Sequence, residues 1–194
     1  MTRFLNSMLL CLIVLSPAAF AKDDAAGTAS GTDVQIAELL NQIQRALITV
    51  QDSAASENLP KLNSVIVELQ TQFKKEGGGG LSLFVVTLGA KASKEEVQML
   101  KLTLKPPEVG AKMPVSAADV YQSLAEAILA AAKGAAAAKT REPRLELSEL
   151  VATIKFVVLA SGGGGIRFTI APVSIDLSGN VSDSTTQTIS VTFK

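Results

Sequence analysis

The sequence contains no histidine and no tryptophan, one tyrosine, and a single cysteine, Cys11. Without histidine the chain cannot build a self-contained Ser-His-Asp or Cys-His site, nor a zinc site of the imidazole kind. Charge of one sign is missing too: 18 Lys and Arg face 18 Asp and Glu, with no basic cluster. Such a balance leaves no electrostatic footprint for nucleic acid. Aromatics are 4% of residues while apolar residues are 47%, so Val, Ile, Leu and Ala must supply the core.

What is present begins with MTRFLNSMLLCLIVLSPAAFAKDD. Arg3, an apolar run from Met8 to Leu15, Pro17, and small Ala19 and Ala21 spell a secretory signal peptide, with cleavage expected after Ala21. The apolar run is far short of the roughly 20 residues that span a bilayer. Cys11 falls inside it and follows Leu10, not a small residue, so a lipoprotein site is not expected and the mature chain has no thiol for disulfides, thiolate zinc or haem attachment. The expected location is periplasmic or secreted. Residues 22–32, KDDAAGTASGT, read as a disordered leader.

The remainder is a duplication. Setting Gly77–Gly80 on Gly162–Gly165, a shift of 85, aligns LNSVIVELQTQF (Leu62–Phe73) with LSELVATIKFVV (Leu147–Val158), and LSLFVVTLG with IRFTIAPVS. A shift of 81 sets VQIAELLNQIQRALI (Val34–Ile48) on VSAADVYQSLAEAIL (Val115–Leu129).

Each half opens with a helix. Ile36, Leu39, Leu40, Ile43, Leu47 and Val50 share one face at three- and four-residue steps, with Thr32 and Gln35 spaced as a capping box. Val120, Tyr121, Leu124, Ala127, Ile128 and Ala131 repeat the stripe, with Ser116 and Asp119 at its start. Alanine-rich AAAKGAAAAK can prolong the second helix, since Gly134 costs only about 1 kcal/mol, and Pro143 limits it. Alanine where interfacial helices carry Trp, Phe or Leu points to close packing within the protein, not to a membrane surface.

Strands follow, with period two. In the first half they are Val65, Val67, Leu69 and Phe73; then Leu81, Leu83 and Val85; then Leu100, Leu102 and Leu104. In the second they are Leu150, Ile154, Phe156 and Val158; Ile166, Phe168 and Ile170; and Ile189, Val191 and Phe193. Each glycine tetrad therefore joins two strands as a hairpin turn. A phosphate loop is excluded because Leu81 or Ile166 follows the glycines where Lys and Ser/Thr would be needed, and no helix begins there.

The predicted fold class is α+β: two tandem helix-strand-strand-strand repeats, with antiparallel sheets, helices packed on one face, and a pseudo-twofold relation. The boundaries are signal peptide 1–21, leader 22–32, first unit 33–106, proline-rich connector 107–114 and second unit 115–194.

Three groups could carry chemistry. Ser93, Lys94, Glu95 and Glu96 lie in one loop, where a lysine could activate the serine, but adjacent residues on a loop rarely hold hydrogen-bonding geometry. Asp176 and Asp183 could offer oxygens to calcium, yet SIDLSGNVSDS lacks the acidic density of a calcium loop. Arg141, Glu142, Arg144, Glu146 and Glu149 read as a solvated connector with local ion pairs. None is assigned as a catalytic, cofactor or metal residue.

The second half, PRLELSELVATIKFVVLASGGGGIRFTIAPVSIDLSGNVSDSTTQTISVTFK, resembles the bacterial trypsin-co-occurring domain family. The shared features are an amphipathic helix, an apolar strand, a glycine turn, an RFxI-like strand at Arg167–Ile170, a polar stretch and a terminal alternating strand. The first half is similar to a divergent second copy. The resemblance implies a small α+β module encoded beside trypsin-like peptidases, in associated or sensing roles, with no catalytic motif to transfer. A signal peptide, two copies and the lack of a peptidase segment set this chain apart.

The expected function is an exported, non-enzymatic module that engages a partner protein, a trypsin-like peptidase or an envelope component. The alternative is a small-ligand or ion-binding protein using a groove between the units, rimmed by Gly89–Glu96 and Ser174–Ser184. A hydrolase using Ser93 and Lys94 is the third. No nucleic acid, cofactor or transmembrane segment after cleavage is expected, and the chain is a monomer or homodimer.

Overall fold

A computed structural model describes residues 33–75, 81–90, 96–111, 120–140, 148–161, 167–174 and 181–194. The segments expected as signal peptide (1–21) and leader (22–32), both glycine tetrads, and Ser116 and Asp119 lie outside these residues. In the described part, β1 (Val34–Gln35) leads into α1 (Ile36–Ser56), followed by β2 (Leu62–Lys75), β3 (Leu81–Val85) and β4 (Val97–Leu104). The second unit supplies α2 (Gln122–Thr140), β5 (Leu150–Ser161), β6 (Arg167–Pro172) and β7 (Gln187–Phe193). The fold is α+β, with two helices packed on one face of a single seven-stranded antiparallel sheet.

α1 forms where the sequence stripe requires it: Leu39, Ile43, Leu47 and Val50 are buried, with Ile36 and Leu40 packed at the margin. Its start differs from the capping box at Thr32 and Gln35. Val34–Gln35 is extended and pairs with β3, which leaves Gln35 as the N-cap with no side-chain cap bond. Thr32 is outside the described residues. The helix ends at Ser56 with Glu57 as its C-cap, and the next residue, Asn58, turns the chain with a positive φ of 54° while Leu59 N–H bonds back to Ala54 O at 2.9 Å.

α2 runs through Gly134 to Thr140, and its buried stripe is Leu124, Ala125, Ile128, Ala132 and Ala135, continued by Tyr121 just before the helix. Ala127 and Ala131 fall at the edge of that face and are half-buried. Small alanines let α2 lie close to α1 and to β5 and β6. Lys133 Nζ reaches Glu57 at the end of α1, at 2.9 Å.

The two hairpins are as the tetrads require. β2 pairs with β3 from Thr71↔Val85 to Lys75↔Leu81, and β5 pairs with β6 from Phe156↔Pro172 to Ser161↔Arg167. Both glycine stretches therefore connect antiparallel neighbours. Inward side chains alternate as expected: Val65, Val67 and Leu69 in β2, Ile189, Val191 and Phe193 in β7, and Phe168 and Ile170 in β6 are buried. Phe73, on the inward face of β2, is an exception at 52% exposed. It lies past the last pairs with β4 and β7, where among the described residues only β3 accompanies β2.

The third strand of each unit has the same place beside the long strand. β4 pairs with β2 from Val65↔Leu104 to Gln72↔Val97, and β7 pairs with β5 from Leu150↔Phe193 to Phe156↔Gln187. β7 also pairs with β2 through Leu62↔Phe193 to Glu68↔Thr188, so the units share one sheet. β2 and β5 are each antiparallel to β7 and therefore run in the same direction.

Candidate functional site

A groove between the units would have to open along the seam where β7 joins β2. Along the described residues that seam is filled. β3 and β7 lie end to end on one edge of β2, and the side chain of Gln187, wholly buried, occupies the gap between them. Its Oε1 accepts the Gln70 backbone N–H at 2.6 Å, and its Nε2 donates to Val86 O at 3.0 Å. Just beyond, Val86 N–H bonds Gln70 O at 2.9 Å and Leu88 N–H bonds Val158 O at 2.8 Å, so residues 86–88 cross from β2 to β5.

The open surface lies at the far side of the first unit. Between the free flank of α1 and the end of β4, Leu40, Gln44, Leu47, Leu104, Lys105 and Pro107 line a cavity of about 310 Å³. Carbon dominates this lining, with Gln44 and Lys105 at its mouth. Residues 107–111 of the connector fold back beside it, held by Gly110 N–H to Asp52 Oδ1 at 2.8 Å; Gly110 has a φ of +75°, which a side chain would strain.

β4 continues the same surface as a strand edge. Among the described residues it pairs only with β2. Gln70 turns its backbone groups toward β3 and β7, and alternation then turns those of Val65, Val67, Leu69 and Thr71 toward β4. Their partners are Leu104, Leu102, Leu100 and Gln98. The backbone groups of Val97, Met99, Lys101 and Thr103 consequently point away from the sheet. Met99 is 63% exposed, and Lys101 Nζ bonds Glu68 across the strands at 2.8 Å. A row of outward backbone donors and acceptors beside an apolar groove can take an added strand, giving main-chain bonds at the edge and a pocket for an apolar side chain.

The candidates from sequence do not gather here. Ser93, Lys94, Glu95, Asp176, Arg141, Glu142, Arg144 and Glu146 lie outside the described residues, while Glu96 is exposed just before β4 and Glu149 just before β5. Asp183 opens a 3₁₀ turn over Asp183–Thr185, fastened by Thr185 Oγ1 to Ser182 O at 3.0 Å and Thr186 Oγ1 to Ser182 O at 2.8 Å. Among the described residues no three acidic groups converge to hold a metal ion.

Arg45 and Gln187 are among the buried polar positions that sequence periodicity missed. Arg45 is buried on α1 with its guanidinium 5.1 Å from the centroid of the Tyr121 ring, a cation–π contact that joins the first helix to the start of the second. Gln187 precedes Ile189, Val191 and Phe193 at the same two-residue step, and a polar residue on an apolar stripe was the available signal.

The sequence model of a family described as trypsin-co-occurring domain 2 matches this chain twice, over residues 34–106 and 115–194. No curated protein and no solved structure matches it.

Proposed function

Because the chain belongs to the trypsin-co-occurring domain 2 family in both halves, we propose that it is an exported, non-catalytic binding module whose open edge, formed by β4 and the α1 groove, engages a partner protein. The observation that carries this is the run of outward backbone groups at Val97, Met99, Lys101 and Thr103 beside the cavity of about 310 Å³. The absence of histidine removes the commonest general base, and the N-terminal sequence supports export. The family description makes a trypsin-like peptidase the first partner to test.

The experiment places a photocrosslinking amino acid at Met99, and at the exposed Glu126 on α2 as a control, in the cell that makes the protein. Capture of one stoichiometric protein from position 99 alone supports the edge. Identical products from both positions, or none from 99, contradict it.

The lining of the groove supports a second reading, a small apolar ligand held by Leu40, Leu47, Leu104 and Pro107. Such a ligand would raise the melting temperature, and Gln44→Phe, which fills the mouth, would abolish the rise.

A further inference from the structure

The duplication contains a template for what covers the open edge. β7 corresponds to β4 register for register, since Leu104 and Phe193, Leu102 and Val191, Leu100 and Ile189, and Gln98 and Gln187 hold equivalent places on β2 and β5. β2 and β5 correspond equally well, down to the bond beyond each hairpin: Val86 N–H to Gln70 O at 2.9 Å and Val173 N–H to Lys155 O at 2.8 Å. Inside the chain, the second edge of β7 lies on β2. Among the described residues, the equivalent surfaces at the two ends of the sheet are left over. They are the second edge of β4 and the Leu150–Thr153 stretch of β5, on the side where β6 pairs only from Phe156 onward.

Burial separates the used surfaces from the unused ones. At the internal junction Val65, Val67, Leu69, Ile189, Val191 and Phe193 are wholly buried. Their equivalents Leu150, Ala152, Ile154, Leu100, Leu102 and Leu104 are as apolar but only partly buried. On the outer face two of the large exposed apolar side chains, Met99 at 63% and Val151 at 57%, sit on these two strands. Leucines on an edge strand are a liability unless something covers them.

We propose that copies of this chain join head to tail by repeating the internal junction, β4 of one copy on β5 of the next, in the register Leu102↔Leu150, Lys101↔Val151, Leu100↔Ala152 and Met99↔Thr153. The proposal rests on the reading of this edge as the binding surface, and makes the partner a second copy. The outward backbone groups of Met99 and Lys101 meet those of Thr153 and Val151, as Thr188 and Ser190 meet Glu68 and Ile66 within the chain. The internal junction also sets α2 beside α1, so the neighbour's α2 comes to the groove flank of α1. A contact between two different surfaces propagates into a ring or filament and does not stop at a symmetric dimer. Its small size makes it weak and dependent on concentration.

The test uses chains carrying Cys11→Ser, so that introduced thiols are the only ones. Met99→Cys and Thr153→Cys chains are mixed and oxidised, since Cα atoms about 5.5 Å apart in a bonded strand pair accept a disulfide. The expected product is a dimer linked through one chain of each kind, formed far more readily than by either chain alone, and a ladder of multimers from the chain with both substitutions. In sedimentation the unsubstituted chain should exceed dimer mass as concentration rises. Lys101→Pro or Thr153→Pro, each removing one edge N–H, should raise the concentration needed by about tenfold at an unchanged melting temperature. Linkage no greater than from Met99→Cys with Glu126→Cys overturns the proposal. Met99→Cys pairing as well with itself overturns it too, by indicating a symmetric β4 contact. A chain that stays monomeric while position 99 still captures a different protein in cells overturns self-association and leaves the partner-protein reading standing; loss of both removes both.

Discussion

Gln187 and Gln70, 117 residues apart, are joined by a 2.6 Å hydrogen bond from the Gln70 backbone N–H to the Gln187 side-chain oxygen. The same amide donates to Val86 O, so one buried side chain closes the ladder where β3 stops and β7 begins on β2.

Gln187→Leu leaves both backbone groups without a partner in a place water does not reach. Each such group costs about 1–3 kcal/mol, so urea unfolding should show a loss of about 2–4 kcal/mol. Gln98→Leu, at the equivalent but exposed position of β4, should change stability by less than about 0.5 kcal/mol.

The same contrast between equivalents applies to apolar residues. Ile189→Ala deletes a side chain with no exposed surface and should cost about 2–5 kcal/mol. Leu100→Ala, at the matching position in the half-buried edge strand, should cost clearly less when both are measured at concentrations too dilute for association.

Two glycines should respond in opposite directions. Gly134 lies inside α2, where an added Cβ meets nothing within 4 Å, so Gly134→Ala should stabilise by about 0.5–1 kcal/mol. Gly89 also has free space, but its φ is +84°, and Gly89→Ala should destabilise by about 1–2 kcal/mol. Thermal unfolding of the pair separates backbone conformation from packing.

Partial burial raises the pKa of the Glu38 carboxyl from its ordinary value. The folded protein thus holds this proton more tightly than the unfolded chain, and stability from this group falls as pH rises from the unfolded pKa through the raised folded one. Glu38→Gln removes that dependence. Melting temperatures of the variant relative to the unsubstituted chain should shift in the variant's favour as pH rises above the unfolded carboxylate pKa of about 4.

Local pattern carried much of the fold into the sequence. Ile189, Val191 and Phe193 at two-residue steps, and Leu39, Ile43 and Leu47 at helical steps, are buried as their spacing requires. Relations between distant segments were not legible. Nothing near Gln187 says that its strand will slide between β2 and β5, because that pairing depends on two edges being free after each unit has formed. β1 is two residues long, too short for a period to register, and it moved the start of α1. Phe73 keeps the alternation but lies where, among the described residues, β2 pairs only with β3. The candidate edge was half legible: β4 was expected as an alternating strand, yet that its second side stays open is a property of the assembled sheet.

Residue-resolved amide hydrogen exchange of β4 tests most directly whether this edge is the binding surface. In dilute protein Leu100 and Leu102, bonded to β2, should be protected while Met99 and Lys101 exchange quickly. As concentration rises, or when a captured partner is added, Met99 and Lys101 should gain protection together. Met99 and Lys101 amides that stay unprotected under both conditions would contradict an added strand at this edge.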